Sequence, residues 1–484
     1  MSDIKNAMIK GLAWSAIEKY SVFLVSLIVS MVLARLLAPK DFGVVAIATV
    51  IINFLSIFST MGIGPAIIQR KNLSNDDINN IFSFSVIISL ILTLIFFASS
   101  WLIAHYYSEA QLITICHVLC INLFFGGINM VPSALMAKNR RFKEIAIRTV
   151  VLQILTGAIA VYAAYNGFGV YSLLISPTVT SIAMMFYNCH FYPVKFKINI
   201  DIKIIKSIFS YSSYQFGFEF INYSSRNLDK LIIGKYISAN ALGYYDKSYR
   251  LMQLPAGQLT GVINPVLQPI MSTLQDDMTQ MAQKYNKIIS FIATISFPLA
   301  IYLFFSGKEL ICVFYGNSWK PAVTSFEILA LSLPTQMILS TSGGIWQSCN
   351  STKLLFVTGA INTGITIAGF IIAAYCFSTI EAVAAAWTIT SVINFFITFV
   401  SMYRIVLRHS IMSMLRQLIS PIVNAILLSC IYIALKNVFY NSLFLESLIL
   451  KTILGLIVSL VYLGITGKFN VIVFFKQKCK RNGI

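Results

Sequence analysis

The chain has 484 residues, of which 57% are hydrophobic and only 11% charged, yet its formal net charge is +19. That apolarity excludes an ordinary soluble domain, and basic clusters set between apolar runs exclude a nucleic-acid surface as the reason for the charge. The 8 cysteines include no CxxC pair and the 4 histidines have no ligand spacing, so neither a disulfide framework nor a metal site is expected.

In chain order, the polar segment Met1–Lys10 lacks a signal peptide's basic start, short apolar core and small-residue cleavage site, so the first span is expected to stay. Apolar runs then occupy 12–36, 42–68, 80–104, 111–136, 147–165 and 169–190. Runs such as Ile81–Ala104 approach bilayer thickness at about 1.5 Å of rise per residue. The stretch Phe191–Lys206 (FYPVKFKINIDIKIIK) mixes basic and apolar residues and reads as a cytoplasmic linker, either lying on the membrane face or forming a short strand. A second series follows at 208–236, 242–271, 286–305, 322–347, 354–376 and 382–403, then two more runs at 417–435 and 446–466. The predicted fold class is an all-α polytopic membrane protein with about fourteen transmembrane helices.

Parts of the two series repeat each other at a constant offset of 200. Gly43 is matched by Gly243, Thr60 by Thr260, Ile63 by Ile263, Pro65 by Pro265, and Asp76-Asp77 by Asp276-Asp277, with Arg35 and Lys235 both basic. These positions set where spans begin, bend and end. Six spans return the chain to its starting side, so the second six run in the same sense as the first. The expected organisation is a six-helix bundle at 1–190, the linker at 191–206, a second six-helix bundle at 207–408, and two extra helices with a basic tail at 409–484. Two such bundles are expected to relate by a pseudo-twofold axis with a cleft between them, the architecture of secondary transporters.

Placing the amino terminus in the cytoplasm puts Lys138, Arg140, Arg141, Lys143, Arg148, Lys195, Lys197, Arg404, Arg408 and the tail's Lys476, Lys478, Lys480 and Arg481 on that side. It leaves only a handful, such as Lys40, Lys308, Lys320 and Lys436, opposite. This positive-inside bias orients both termini to the cytoplasm of a cell inner membrane, with some affinity for anionic lipids.

Charges inside spans cost about 2.5–3.5 kcal/mol each at a helix centre, so they mark an aqueous cavity or a partner. Spans three, five, six, eleven, thirteen and fourteen read as nearly charge-free. Lys19, Arg226, Lys230, Arg250 and Asn222 are the candidates for lining a substrate lumen; Glu18, Glu219 and Asp246 are the candidates for binding a coupling ion. Glu219, Asn222, Arg226 and Lys230 share one helical face. Arg35 and Lys235 are candidates for an outer mouth. The bland alternatives stand beside these: Asp246 and Arg250, four apart, can neutralise each other, and Arg35, Lys230 and Lys235 can snorkel to the interface. Pro65 and Pro265 are hinge candidates or fixed kinks. The repeated acidic pairs read as helix caps and first-turn acids. No GxxxxGK[ST], HExxH or TVGYG-like segment occurs, so no nucleotide engine, zincin motif or selectivity filter is expected.

The stretches LLAPKDFGVVAIATV (Leu36–Val50), NLDKLIIGKYISANALGYYDKSYRLMQLP (Asn227–Pro255) and INPVLQPIMSTLQDD (Ile263–Asp277) resemble polysaccharide exporters of the MOP flippase superfamily. They are most like Wzx-type flippases of the colanic-acid exporter kind, which move lipopolysaccharide, O-antigen or capsule precursors. The resemblance implies flipping of polyprenyl-diphosphate-linked oligosaccharide from the cytoplasmic to the periplasmic leaflet by alternating access. It also implies two six-helix bundles around a lumen, no cofactor, drive from an H+ or Na+ gradient, and polysaccharide polymerase machinery as a partner. One rival is a cation-coupled multidrug exporter of the same superfamily, disfavoured by the basic residues of spans one, seven and eight. Another is a membrane-embedded polysaccharide polymerase or glycosyltransferase, for which the chain offers no sizeable extramembrane loop.

Overall fold

Backbone buried in lipid must satisfy its own hydrogen bonds, and these apolar runs do so as helices. The computed structural model describes residues 2–60, 62–70, 72–198, 201, 205, 223, 224, 226–440 and 443–467, and among these every regular element is helical. Among the described residues, eleven helices are long and apolar enough to cross a membrane, and a pair bent by 49° (Ala322–Ala330 with Leu333–Ser348) makes up to twelve. The chain is a multi-pass membrane protein. Two of the fourteen expected spans are missing from that set for different reasons. The eighth is present as a 34-residue helix, Ala239–Ser272, but is too polar to qualify on composition. The seventh, 208–236, lies largely outside the described residues; its part at 226–236 is helical.

The chain divides into two compact units, Met1–Gly243 and Tyr244–Ile484. In the first, α1 (Ser2–Leu36) packs on α7 (Phe142–Tyr165), α4 (Asn75–Tyr107) on α5 (Gln111–Ile128), and α8 (Ser172–Phe191) on both α5 and α7. Helix α2 (Pro39–Thr60) is followed by a break at Gly62, whose φ of 69° is left-handed, and then by the short α3 (Ile63–Gln69). Such a φ suits glycine, which has no β-carbon to clash. Helix α3 packs on α6 (Met130–Lys138), so that Ile63, Ala66, Ile67, Ile81, Phe82, Ile128, Val131, Ala134 and Leu135 form one apolar cluster. The linker strips its own backbone against α4: Lys195 and Lys197 donate their amides to Asn79 Oδ1 (2.8 Å) and Ser83 Oγ (2.7 Å), and Lys197 pairs with Asp76 at 2.8 Å.

Helix α9 (Ala239–Ser272) starts in the first unit and runs on into the second. There α10 (Met278–Phe305) is followed by the short α11 (Gly307–Tyr315), then by α12 (Ala322–Ala330), α13 (Leu333–Leu339) and α14 (Ser342–Ser348) of the bent pair. The remaining long helices are α15 (Thr352–Cys376), α16 (Ile380–Ser401), α17 (Met412–Ala434) and α18 (Phe444–Ile465). Helix α10 packs on α17, and α16 on α15 and α12. Long apolar side chains such as Leu90, Ile91, Leu94 and Ile95 on α4 stay exposed, the surface a lipid solvent covers.

Candidate functional site

The polar stretch from residue 226 to residue 250 spans the boundary between the two units at Gly243 and Tyr244. In the first unit, Lys19 is exposed on α1 and Glu18, its neighbour, is half-buried. Arg226 is exposed, whereas Asp229 is fully buried and Lys230 only 9% exposed. The face that Arg226 and Lys230 share therefore changes from open to covered within one turn. Glu219 and Asn222, assigned to the same face, lie outside the described residues. Arg35 is exposed at the end of α1. Lys235 is exposed too, and donates to the Tyr106 carbonyl at 2.5 Å with its ammonium 4.2 Å from that ring's centre.

The first unit also buries a cation that the sequence reading counted only towards topology. Arg148 on α7 is 7% exposed. Its guanidinium donates to Asn188 Oδ1 on α8, the Nδ2 of Asn188 donates in turn to Asn129 Oδ1 at 2.8 Å, and the guanidinium lies 5.8 Å from the Tyr187 ring centre. Glu18 is the acidic side chain whose field reaches it. No local pattern marks this residue: it sits in a basic cluster of the kind that normally stays in water.

In the second unit, the first turns of α9 carry a dense polar network. Asp246, 3% exposed, accepts from Arg250 at 2.6 Å, the pairing that i,i+4 spacing permits. Arg250 keeps its side chain 58% exposed, so this pair has one wet and one dry partner. Lys247 is 5% exposed, with its ammonium 5.2 Å from the Tyr315 ring centre. Ser248 donates to the Ala322 carbonyl at 2.7 Å, and Gln253 to Gln336 Oε1 at 2.5 Å. These bonds fasten α9 to α12 and α13. Pro65 lies in the first turn of α3, where its missing N–H has no helical partner to lose. Pro265 lies inside the unbroken α9, and both prolines are exposed.

Two further groups escaped the sequence reading. Lys451 in the last span, read as nearly charge-free, is buried against Glu309, and Glu327 stands near them on α12. An isolated lysine within 446–466 was the available signal. The acid it meets is remote in sequence, so their pairing is a tertiary fact.

The family described as polysaccharide biosynthesis protein matches residues 32–324. The chain belongs to that family. Among its relatives, teichuronic acid biosynthesis protein TuaB of Bacillus subtilis (strain 168) is 23% identical over 405 residues, covering 82% of each chain. Succinoglycan biosynthesis transport protein ExoT of Rhizobium meliloti (strain 1021) is 23% identical over 67% of this chain and 65% of its own. The solved structure of lipid II flippase MurJ in an inward closed conformation superposes with a TM-score of 0.77 at 15% identity, covering 95% of this chain and 100% of that one. At such identity the last likeness speaks for the fold alone.

Proposed function

We propose that this protein flips polyprenyl-diphosphate-linked oligosaccharide across a bacterial inner membrane for surface-polysaccharide assembly. The observation that carries the reading is the family match over residues 32–324, in a family described by polysaccharide biosynthesis, on a chain that is multi-pass and helical. A relative named as a succinoglycan biosynthesis transport protein supports movement of glycan over its synthesis. The charge distribution supports an anionic cargo: Lys19, Arg226 and Arg250 are exposed basic side chains, Lys19 and Arg250 on membrane-length helices and Arg226 in the helical stretch 226–236. Lipid would charge about 2.5–3.5 kcal/mol for each, so they suit water and a diphosphate or acidic sugar. The prenyl tail stays in the acyl phase while the polar headgroup follows these residues.

Both termini are assigned to the cytoplasm by the positive-inside bias, a proton or sodium gradient is the proposed drive, and a polysaccharide polymerase is the proposed consumer of the flipped product. The test is leaflet exchange of labelled polyprenyl-diphosphate oligosaccharide by reconstituted protein under imposed proton or sodium gradients. Wild type accelerates exchange, and Arg226→Ala lowers the rate about tenfold through the loss of a charged hydrogen bond. Absence of exchange with every such lipid rejects the reading; an unimpaired Arg226→Ala variant removes that residue from it.

A further inference from the structure

The first unit carries an apolar groove that none of the roles above uses. It runs between the closing turns of α1 and α7, with Ile28, Val32 and Leu36 on one side, Ile154 and Val161 on the other, and a volume of about 690 Å³. Two small residues make the depression. Gly157 is buried where the helices touch, and a β-carbon there would stand 2.6 Å from Val29 Cγ2. Ala158, its neighbour, is exposed and leaves the α7 side without a long side chain at that level. On α1 the groove follows the stretch 25–36, about 16 Å long at 1.5 Å of rise per residue, roughly half of a hydrocarbon core of about 30 Å. The groove is one leaflet deep.

Its chemistry selects the occupant. No charged side chain lines it among the described residues, so a hydrocarbon chain fills it without desolvating an ion and restores the dispersion contacts that an empty groove would forfeit. The headgroup end is marked independently. Tyr162 and Tyr165, both exposed, line the groove where α7 finishes, and tyrosine is a residue that membrane interfaces favour. Arg35 is exposed at the matching end of α1 and, seven residues after Ile28, stands on the same helical face. A cation at the headgroup level with hydrocarbon lining below it is complementary to a lipid that carries a phosphate.

We propose that α1 and α7 form a binding site for one anionic phospholipid, with an acyl chain in the groove and its phosphate at Arg35. The chain ends near Val25, in mid-membrane, and a tail longer than one leaflet would overrun the groove there. A lipid so held touches both helices and braces α1 on α7. Binding requires nothing of the flippase reading.

The test uses full-length protein in phosphatidylcholine nanodiscs doped with a phospholipid that carries a diazirine in mid-chain, either as phosphatidylglycerol or as phosphatidylcholine. After irradiation, labelled peptides are identified by mass spectrometry. The phosphatidylglycerol probe should label 25–36 and 154–165 several-fold above the exposed apolar face of α4 at 90–95. It should also label the groove about fivefold more than the phosphatidylcholine probe does, the preference that one basic side chain near the surface gives. Arg35→Gln should remove that preference, and Ala158→Phe, which fills the groove, should remove the labelling itself. Leu94→Phe on α4 should leave both. Ala158 and Leu94 are exposed, so each accepts a ring without repacking the interior. The site is overturned if the groove labels no more strongly than α4, or if the two probes label it alike. It is equally overturned if unlabelled polyprenyl phosphate displaces the probe where unlabelled phosphatidylglycerol does not, a result that would give the groove to a prenyl tail. These three comparisons are made on wild type, so they stand whether or not a variant folds.

Discussion

Helices α2 and α9 open alike. Each has a glycine four positions into the helix, Gly43 after Pro39 and Gly243 after Ala239, and the two opening turns cross at these residues. A β-carbon on Gly43 would lie 1.7 Å from the Ala239 carbonyl oxygen, and one on Gly243 would lie 1.9 Å from that of Pro39. The contact is reciprocal at the same offset of 200 that relates the sequences, and such close backbone approach needs small residues. Beyond it the helices diverge. Helix α2 is apolar, breaks at Gly62 and resumes as α3; α9 continues unbroken to Ser272 with Pro255, Pro265 and Pro269 inside it. Where α9 carries Asp246, Lys247 and Arg250, α2 has Ala46, Ile47 and Val50, all buried. The repeat preserves where backbones meet and leaves the side chains between those points free to specialise.

The strongest way to break this comparison is to give α2 the charge of α9. Ile47 is fully buried, so Ile47→Lys places an ammonium where no acid is matched to it. The expected cost is about 3–5 kcal/mol, read as loss of folded protein after extraction. If the variant folds as wild type does, the two helices have interchangeable environments and the contrast fails. Next in size, Gly43→Ala and Gly243→Ala each force a methyl group into a carbonyl oxygen. Each should cost about 3 kcal/mol, measured as a lowered melting temperature. Losses of similar size support a reciprocal contact; a tolerated alanine at one position and not the other breaks it.

Span positions were legible in the sequence because lipid demands helices of a set length. Thirteen of the expected spans coincide with observed helices or with the bent pair, mostly to within a few residues, and twelve of these are apolar enough to cross a membrane. The longer differences are at ends such as Met278–Phe305, which begins well before the expected 286, because a polar amphipathic turn extends the helix outside the apolar run. The Asp246–Arg250 pair was also legible, since both partners sit on one helix. Lys451, Glu309 and Glu327 were not: each looks like an isolated charge until three helices converge. Arg148 was hidden for the opposite reason, because it sits among basic residues that do stay at the surface.

A milder change tests whether the charges on α9 serve its own packing. Asp246→Asn keeps shape but gives up the charged bond to Arg250. Because Arg250 is largely wet, water compensates in part and the expected loss is about 1–2 kcal/mol, seen in thermal melting. A larger loss would mean that Asp246 also steadies Lys247.

The smallest expected effects sharpen the comparison at the next pair of matched helices. The repeated acids do cap them, but in different registers. In α4, Ser74 is the cap: its hydroxyl accepts from the Asp77 amide at 3.1 Å, and the Asp77 carboxylate accepts from the Ser74 amide at 2.9 Å. In α10, Asp277 is itself the cap and accepts from the Gln280 amide at 2.8 Å. The helix start has thus moved relative to the duplicated acids, and the cap has passed from serine to aspartate. Ser74→Ala and Asp277→Ala should each cost about 1 kcal/mol, with faster amide exchange confined to the first turn of the affected helix. Asp276→Ala should leave its helix start unchanged, whereas Asp77→Ala should loosen that of α4. An Asp277→Ala variant with an unchanged helix start would show that the cap has not passed to aspartate.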